Sequence, residues 1–163
     1  MTSGRRELGR WRGRWARWSY IRKEGAGSLA VALGKMDCMK ELNLTGNRIG
    51  RTGSLALAGA LGKMVNMTVL DLHRNELGAA GAVALAGMLD TMNSMTTLRL
   101  GANMINAGGA RALSGALGKM VKMTELDLSD NEMGEEGAKA LAVALGKMVN
   151  MTSLRLGGNA IGK

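Results

Sequence analysis

Residues 67–77, Met67-Thr68-Val69-Leu70-Asp71-Leu72-His73-Arg74-Asn75-Glu76-Leu77, carry the pattern that decides the fold. Leu70 and Leu72 alternate with Val69, Asp71 and His73, the period-2 signature of a short strand with one buried face. The frame recurs every 28 residues: Met39, Leu42, Leu44, Asn47, Ile49; then Met95, Leu98, Leu100, Asn103, Ile105; then Met123, Leu126, Leu128, Asn131, Met133. A fifth copy, Met151, Leu154, Leu156, Asn159, Ile161, stands close to Lys163.

After each Asn the periodicity changes. Gly53, Leu57 and Leu61, with Gly81, Leu85, Leu89 and their later equivalents, fall at i, i+4, i+8 and place a leucine stripe on one face of a helix. Gly62-Lys63, Gly118-Lys119 and Gly146-Lys147 read as helix ends, with Asp90-Thr91 as the exception. A left-handed Gly is expected to close each helix, and the Lys to complement its dipole. Small residues such as Ala58-Gly59-Ala60 and Ser114-Gly115-Ala116 are expected to let adjacent helices approach closely.

One unit is therefore strand, turn, helix and loop. Neither element buries its apolar face alone, whereas stacked copies share a continuous core. Helices need roughly 10 Å of spacing and strands about 4.8 Å, so the stack curves with its sheet inside. The frame resembles the leucine-rich-repeat family, and its 28-residue helical unit is similar to the ribonuclease-inhibitor-like subclass, which includes repeats of NOD-like receptors and Ran GTPase-activating proteins. The resemblance covers residues 25–163. It implies an α/β right-handed solenoid, a short horseshoe with a parallel sheet on the concave face and helices on the convex face. It also implies protein recognition on the concave face and a backbone-satisfying role for the Asn ladder. Met at the first frame position, where the family carries Leu, alters packing detail only.

The expected organisation is a basic segment over 1–24 and a repeat domain over 25–163. The full repeats are 39–66, 67–94, 95–122 and 123–150, with partial units at both ends. Counting back from Gly53, Leu57 and Leu61 reaches Gly25, Leu29 and Leu33, which predicts an extra helix before the first strand. At the other end a bare strand and turn leave the last rung without a polar cap. The chain is then a fragment of something longer, or another group covers that edge.

The net charge of +9 is unevenly placed. Residues 1–23 hold eight basic residues against one acid, and the rest of the chain fourteen against twelve, so the basicity describes the start and not the body. A single cysteine, Cys38, excludes an internal disulfide and fits a reducing, cytoplasmic compartment. No apolar run reaches the ~18–20 residues that span a bilayer, and the N-terminal stretch lacks the apolar core of a secretory signal.

Candidate recognition residues are the variable strand positions. The residue between the two leucines reads Asn43, Asp71, Arg99, Asp127, Arg155; two positions later come Thr45, His73, Gly101, Ser129, Gly157. Two positions earlier stand Glu41, Val69, Thr97, Glu125, Ser153, while Arg74 and Asp130 lie beside the stripe. Asp71, Arg99, Asp127 and Arg155 are expected to form an alternating-sign ladder, either recognising a partner or neutralising one another.

Catalysis finds no footing in the residue set. Cys38 and His73 fall on the order of 20 Å apart at about 3.3 Å per strand residue, too far for a thiol–imidazole dyad. One His and one Cys do not make a zinc site. The repeated Gly-Lys lacks the first Gly of a P-loop, whose place Leu57, Leu113 or Leu141 takes. No enzyme activity, cofactor or small-molecule substrate is expected, and no motif singles out GTPase activation.

The segment around Leu8, Trp11, Trp15 and Trp18, with Arg10, Arg12, Arg14 and Arg17, follows helical spacing. It reads as a cap over the first rung, an interfacial membrane anchor, a phosphate or nucleic-acid contact, a mitochondrial targeting helix or an unstructured tail. The main functional expectation is a protein-interaction module working through the concave sheet. The alternatives are a membrane or nucleic-acid tether acting through the basic segment, or a regulatory piece of a larger receptor or GTPase activator.

Overall fold

The structure, a computed structural model, describes residues 21–36 and 38–162. Helix and strand alternate throughout: α1 (Arg22–Leu33), β1 (Glu41–Asn43), α2 (Gly50–Leu61), β2 (Val69–Asp71), α3 (Gly78–Leu89), β3 (Thr97–Arg99), α4 (Asn106–Leu117), β4 (Glu125–Asp127), α5 (Gly134–Leu145) and β5 (Ser153–Arg155). The extra first helix is present and begins at Arg22, three residues ahead of Gly25. The Trp/Arg stripe lies outside the described residues.

The five strands form one parallel sheet in sequence order, each offset from the last by the 28-residue period, so Leu42, Leu70, Leu98, Leu126 and Leu154 stand side by side. Each helix packs on the next, α1 to α5. Between the two layers runs one core of strand leucines (Leu70, Leu72), helix leucines (Leu85, Leu89) and methionines, repeated from unit to unit. Met67, Met95 and Met123 are buried at the first frame position, and Met64, Met92, Met120 and Met148 fill the gap just after each helix. An unbranched thioether chain accommodates these irregular corners. The last rung is less covered, since Leu154 is 41% exposed.

The helix ends differ from expectation. Gly62, Gly118 and Gly146 are right-handed, with φ of −60°, −64° and −62°. Each helix finishes in a tightened turn, as where Lys63 N–H donates to the Ala60 carbonyl (3.2 Å) and Met64 N–H to that of Leu61 (2.8 Å). No positive φ is required there, which is why Asp90 (φ −56°) fits the same position in α3.

The left-handed residues lie instead in the turn after each strand. Around Asn75, Arg74 (φ 57°), Glu76 (φ 58°) and Gly78 (φ 65°) all adopt it, and the turns around Asn47, Asn103 and Asn131 repeat the arrangement. For a non-glycine residue that conformation costs roughly 1–2 kcal/mol. The buried Asn between them offsets it. Asn75 donates through Nδ2 to the carbonyls of Leu44 (2.8 Å), Leu72 (2.9 Å) and His73 (3.2 Å). Its Oδ1 accepts the N–H of Asn47 (3.0 Å). Asn103 and Asn131 bond in the same pattern one rung and two rungs on. The asparagines are thus structural, stitching each coil to its predecessor.

The expectation for the small residues holds in part, since Ala60 and Ala116 are buried in the core while the glycine between the small residues is not. Nothing lies within 4 Å of a Cβ built on Gly59 or Gly115. Close approach falls on Gly53, Gly81, Gly109 and Gly137; at Gly109 a Cβ would stand 2.6 Å from Ile105 Cγ2, 2.9 Å from Ala82 Cβ and 3.3 Å from Ala79 Cα. The glycine at the head of each leucine stripe sets the helix–helix distance.

Candidate functional site

The concave face is built by the strand residues that the pleat turns away from the core. Register places Asn43, Asp71, Arg99, Asp127 and Arg155 in one row and Glu41, Val69, Thr97, Glu125 and Ser153 in the next. The expected charged row therefore exists, but its pairing runs differently. Arg99 reaches back to Asp71 (Nη1–Oδ2, 3.5 Å) and grips Glu125 through Nε (3.1 Å to Oε1) and Nη2 (3.0 Å to Oε2). Arg155 also turns to Glu125 (Nη1–Oε1, 2.9 Å) and stands 3.9 Å from Asp127 Oδ2. Glu125, in the adjacent row, is the hub. Two cations share one carboxylate because each guanidinium reaches diagonally to the pleat position two residues earlier on β4, Arg99 from the strand before it and Arg155 from the strand after.

These contacts shift the groups in the expected directions. The Arg99 hydrogen bonds hold the Glu125 carboxyl below the ordinary range, partial burial opposing and Arg155 assisting. Glu125 raises Arg99 in return.

The aspartates have a second task that sequence reasoning missed. Asp71 Oδ1 accepts Thr45 Oγ1–H (2.8 Å) and His73 N–H (3.0 Å), and Asp127 Oδ1 accepts both Ser129 N–H (3.0 Å) and Ser129 Oγ–H (2.6 Å). Asn43 does the same for Thr45 N–H (2.9 Å). A short acceptor two residues before a turn N–H is the visible sequence signal for this local bond. Each aspartate thereby keeps one oxygen in the backbone and offers the other to the concave surface.

Gly101 is buried beneath its neighbours. A Cβ there would meet His73 Nδ1 at 2.6 Å and Ser129 Oγ at 2.9 Å, so the imidazole and the hydroxyl close over the backbone of the middle rung. Arg74 and Asp130 are exposed in the turns beyond, outside the ion-pair network, and the Asp130 carboxylate folds over Gly158. Glu41 is exposed at the first rung and stands apart from the Glu125 cluster.

A threonine ladder at the strand starts was likewise missed. Thr68, Thr96, Thr124 and Thr152 each donate Oγ–H to the carbonyl 28 residues earlier, at 3.0–3.1 Å. Their recurrence at 28 was visible in the sequence.

Among the described residues no group of three or more His, Cys, Asp and Glu could hold a metal ion, and no helix is long and apolar enough to cross a membrane. Cys38 is exposed.

Among the described residues five parallel strands alternate with five helices at a constant offset, the arrangement of stacked strand–helix repeats. The fold is an α/β leucine-rich-repeat solenoid. The leucine-rich-repeat family model matches residues 36–58, 63–86 and 119–142. A solved structure described as leiomodin-1 actin-binding site 2 superposes with a TM-score of 0.66 at 20% identity, covering 82% of this chain and 78% of that one. No curated protein matches the sequence.

Proposed function

We propose that this protein is a protein-interaction module that binds its partner through the concave sheet. The observation that carries the reading is the Asp71–Arg99–Glu125–Arg155 network. Its charged groups sit on consecutive strands, fixed by register and by backbone bonds, so a partner meets them already oriented. Asp71 is buried and Arg99 and Glu125 are partly buried, so the network adds to stability, and the same burial holds its charged groups in one geometry for a partner to read. Concave strand positions bear four acids (Glu41, Asp71, Glu125, Asp127) and two bases (Arg99, Arg155), so a partner with an excess of basic side chains fits best. The superposable leiomodin-1 domain is described as an actin-binding site, which supports a protein partner of some kind.

The 28-residue strand–helix unit supports placing the repeats in the ribonuclease-inhibitor-like subclass. The reading involves no cofactor, small-molecule substrate or chemical step, and the composition and single cysteine support a cytoplasmic setting. Asp71→Asn with Asp127→Asn tests it, since each amide keeps the acceptor oxygen for the turn and removes only charge. Affinity for a partner captured with the unaltered chain should fall more than roughly tenfold, about 1.4 kcal/mol, with the circular dichroism unchanged. Unaltered affinity overturns the concave assignment.

A further inference from the structure

The strands are all parallel and the helices return between them, so the helix-to-strand segments 34–40, 62–68, 90–96, 118–124 and 146–152 collect along one lateral edge. Bonds between successive segments show the adjacency: Thr91 Oγ1–H donates to the Gly62 carbonyl (2.9 Å) and Asn150 Nδ2–H to that of Val121 (2.8 Å). Because the sheet lies inside the curve and the helices outside, the curve runs in the plane of this edge. The edge is consequently flat rather than concave.

Its chemistry is distinctive. Lys35, Lys40, Lys63, Lys119, Lys122 and Lys147 are all exposed on it. The same segments contain two acids: Asp90, held by Lys119 at 3.0 Å, and Asp37, which lies outside the described residues. Between the lysines project Val65, Val121 and Val149, which are 50%, 53% and 82% exposed. The helix dipole accounts for the lysines just past the ends of α1, α2, α4 and α5. It gives no reason for a valine two residues later, directed into water, in three of the repeats.

We propose that this edge docks on an anionic phospholipid bilayer, with the valines seated among the headgroups and the lysines on their phosphate and carboxylate groups. A flat rim of cations around projecting aliphatic side chains complements a charged bilayer in both shape and charge. Nucleic acid fits less well, since the segments 34–40, 62–68, 90–96, 118–124 and 146–152 contain no Phe, Trp, Tyr or His on which a base could stack. The surface is separate from the concave face and stands independently of the function proposed there.

The test uses the full chain and vesicles of phosphatidylcholine with and without phosphatidylserine. Two variants are compared: Val65→Ser with Val121→Ser and Val149→Ser, and Lys63→Gln with Lys119→Gln, Lys122→Gln and Lys147→Gln. Each should weaken binding to the phosphatidylserine vesicles more than roughly tenfold with an unchanged circular dichroism spectrum. The chain itself separates this edge from the basic N-terminal segment. All three Trp fall within residues 11–18, so Trp emission reports the segment, while a polarity-sensitive fluorophore on Cys38, the single cysteine, reports the edge. A blue shift of that fluorophore on vesicle binding supports the proposal. Three results overturn it: no binding to phosphatidylserine vesicles, binding that neither variant weakens while only Trp emission shifts, or loss of both vesicle and RNA binding in the lysine variant with the valine variant unaffected.

Discussion

Arg99 and Glu125 meet in a bidentate pair across adjacent strands, Nε to Oε1 at 3.1 Å and Nη2 to Oε2 at 3.0 Å. Arg99 therefore leans toward the neighbouring row rather than toward Asp127 beside it. Because Asp71 and Arg155 join the same pair, the concave charges behave as a unit.

That pairing fixes a pH dependence. The folded Glu125 carboxyl titrates below its ordinary value of 4.5, so its contribution is present at neutral pH and lost as pH falls through the lowered folded value. Glu125→Gln should accordingly destabilise the protein at pH 7, and the difference should shrink as both chains are moved into the acid range. Urea titrations across that range check this; a constant difference would mean that the carboxylate's charge contributes nothing.

The asparagine ladder predicts a large local cost. Asn103→Ala removes an acceptor from Asn75 N–H and Leu77 N–H, and a donor from the carbonyls of Leu72, Leu100 and Gly101. Leaving such buried groups without partners should lower stability by about 3 kcal/mol or more. The same denaturation measurement would show less than ~1 kcal/mol if water can take the amide's place.

Two glycines of α4 should respond with opposite signs. Gly109→Ala drives a methyl toward Ile105, Ala82 and the α3 backbone, and should cost about 1–3 kcal/mol despite alanine's better helix propensity. Gly115→Ala meets nothing within 4 Å and should stabilise by up to ~1 kcal/mol. Thermal melts of both variants decide it, and equal shifts would contradict the packing described for Gly109.

The sheet, helices and core were legible because Leu42 through Leu154 and the asparagines repeat at a fixed interval with two distinct periodicities. Where reading failed, spacing carried too little geometry. Gly62 and Gly59 look alike as sequence, yet neither adopts the expected role: Gly62 stays right-handed, and Gly59 faces open space, the tightest helix contacts falling on Gly53, Gly81, Gly109 and Gly137. The charged row was visible from Asp71, Arg99, Asp127 and Arg155. Its true hub, Glu125, depends on how far a guanidinium reaches across the pleat, which strand alternation does not encode.

Photo-crosslinking tests the central claim most directly. A photoreactive side chain at Thr97, on the concave face between Val69 and Glu125, is compared with one at Val83, exposed on the convex side of α3. Crosslinks to a partner protein from Thr97 and none from Val83 are the predicted result. Equal crosslinking from both, or crosslinking from Val83 alone, would contradict recognition through the concave sheet.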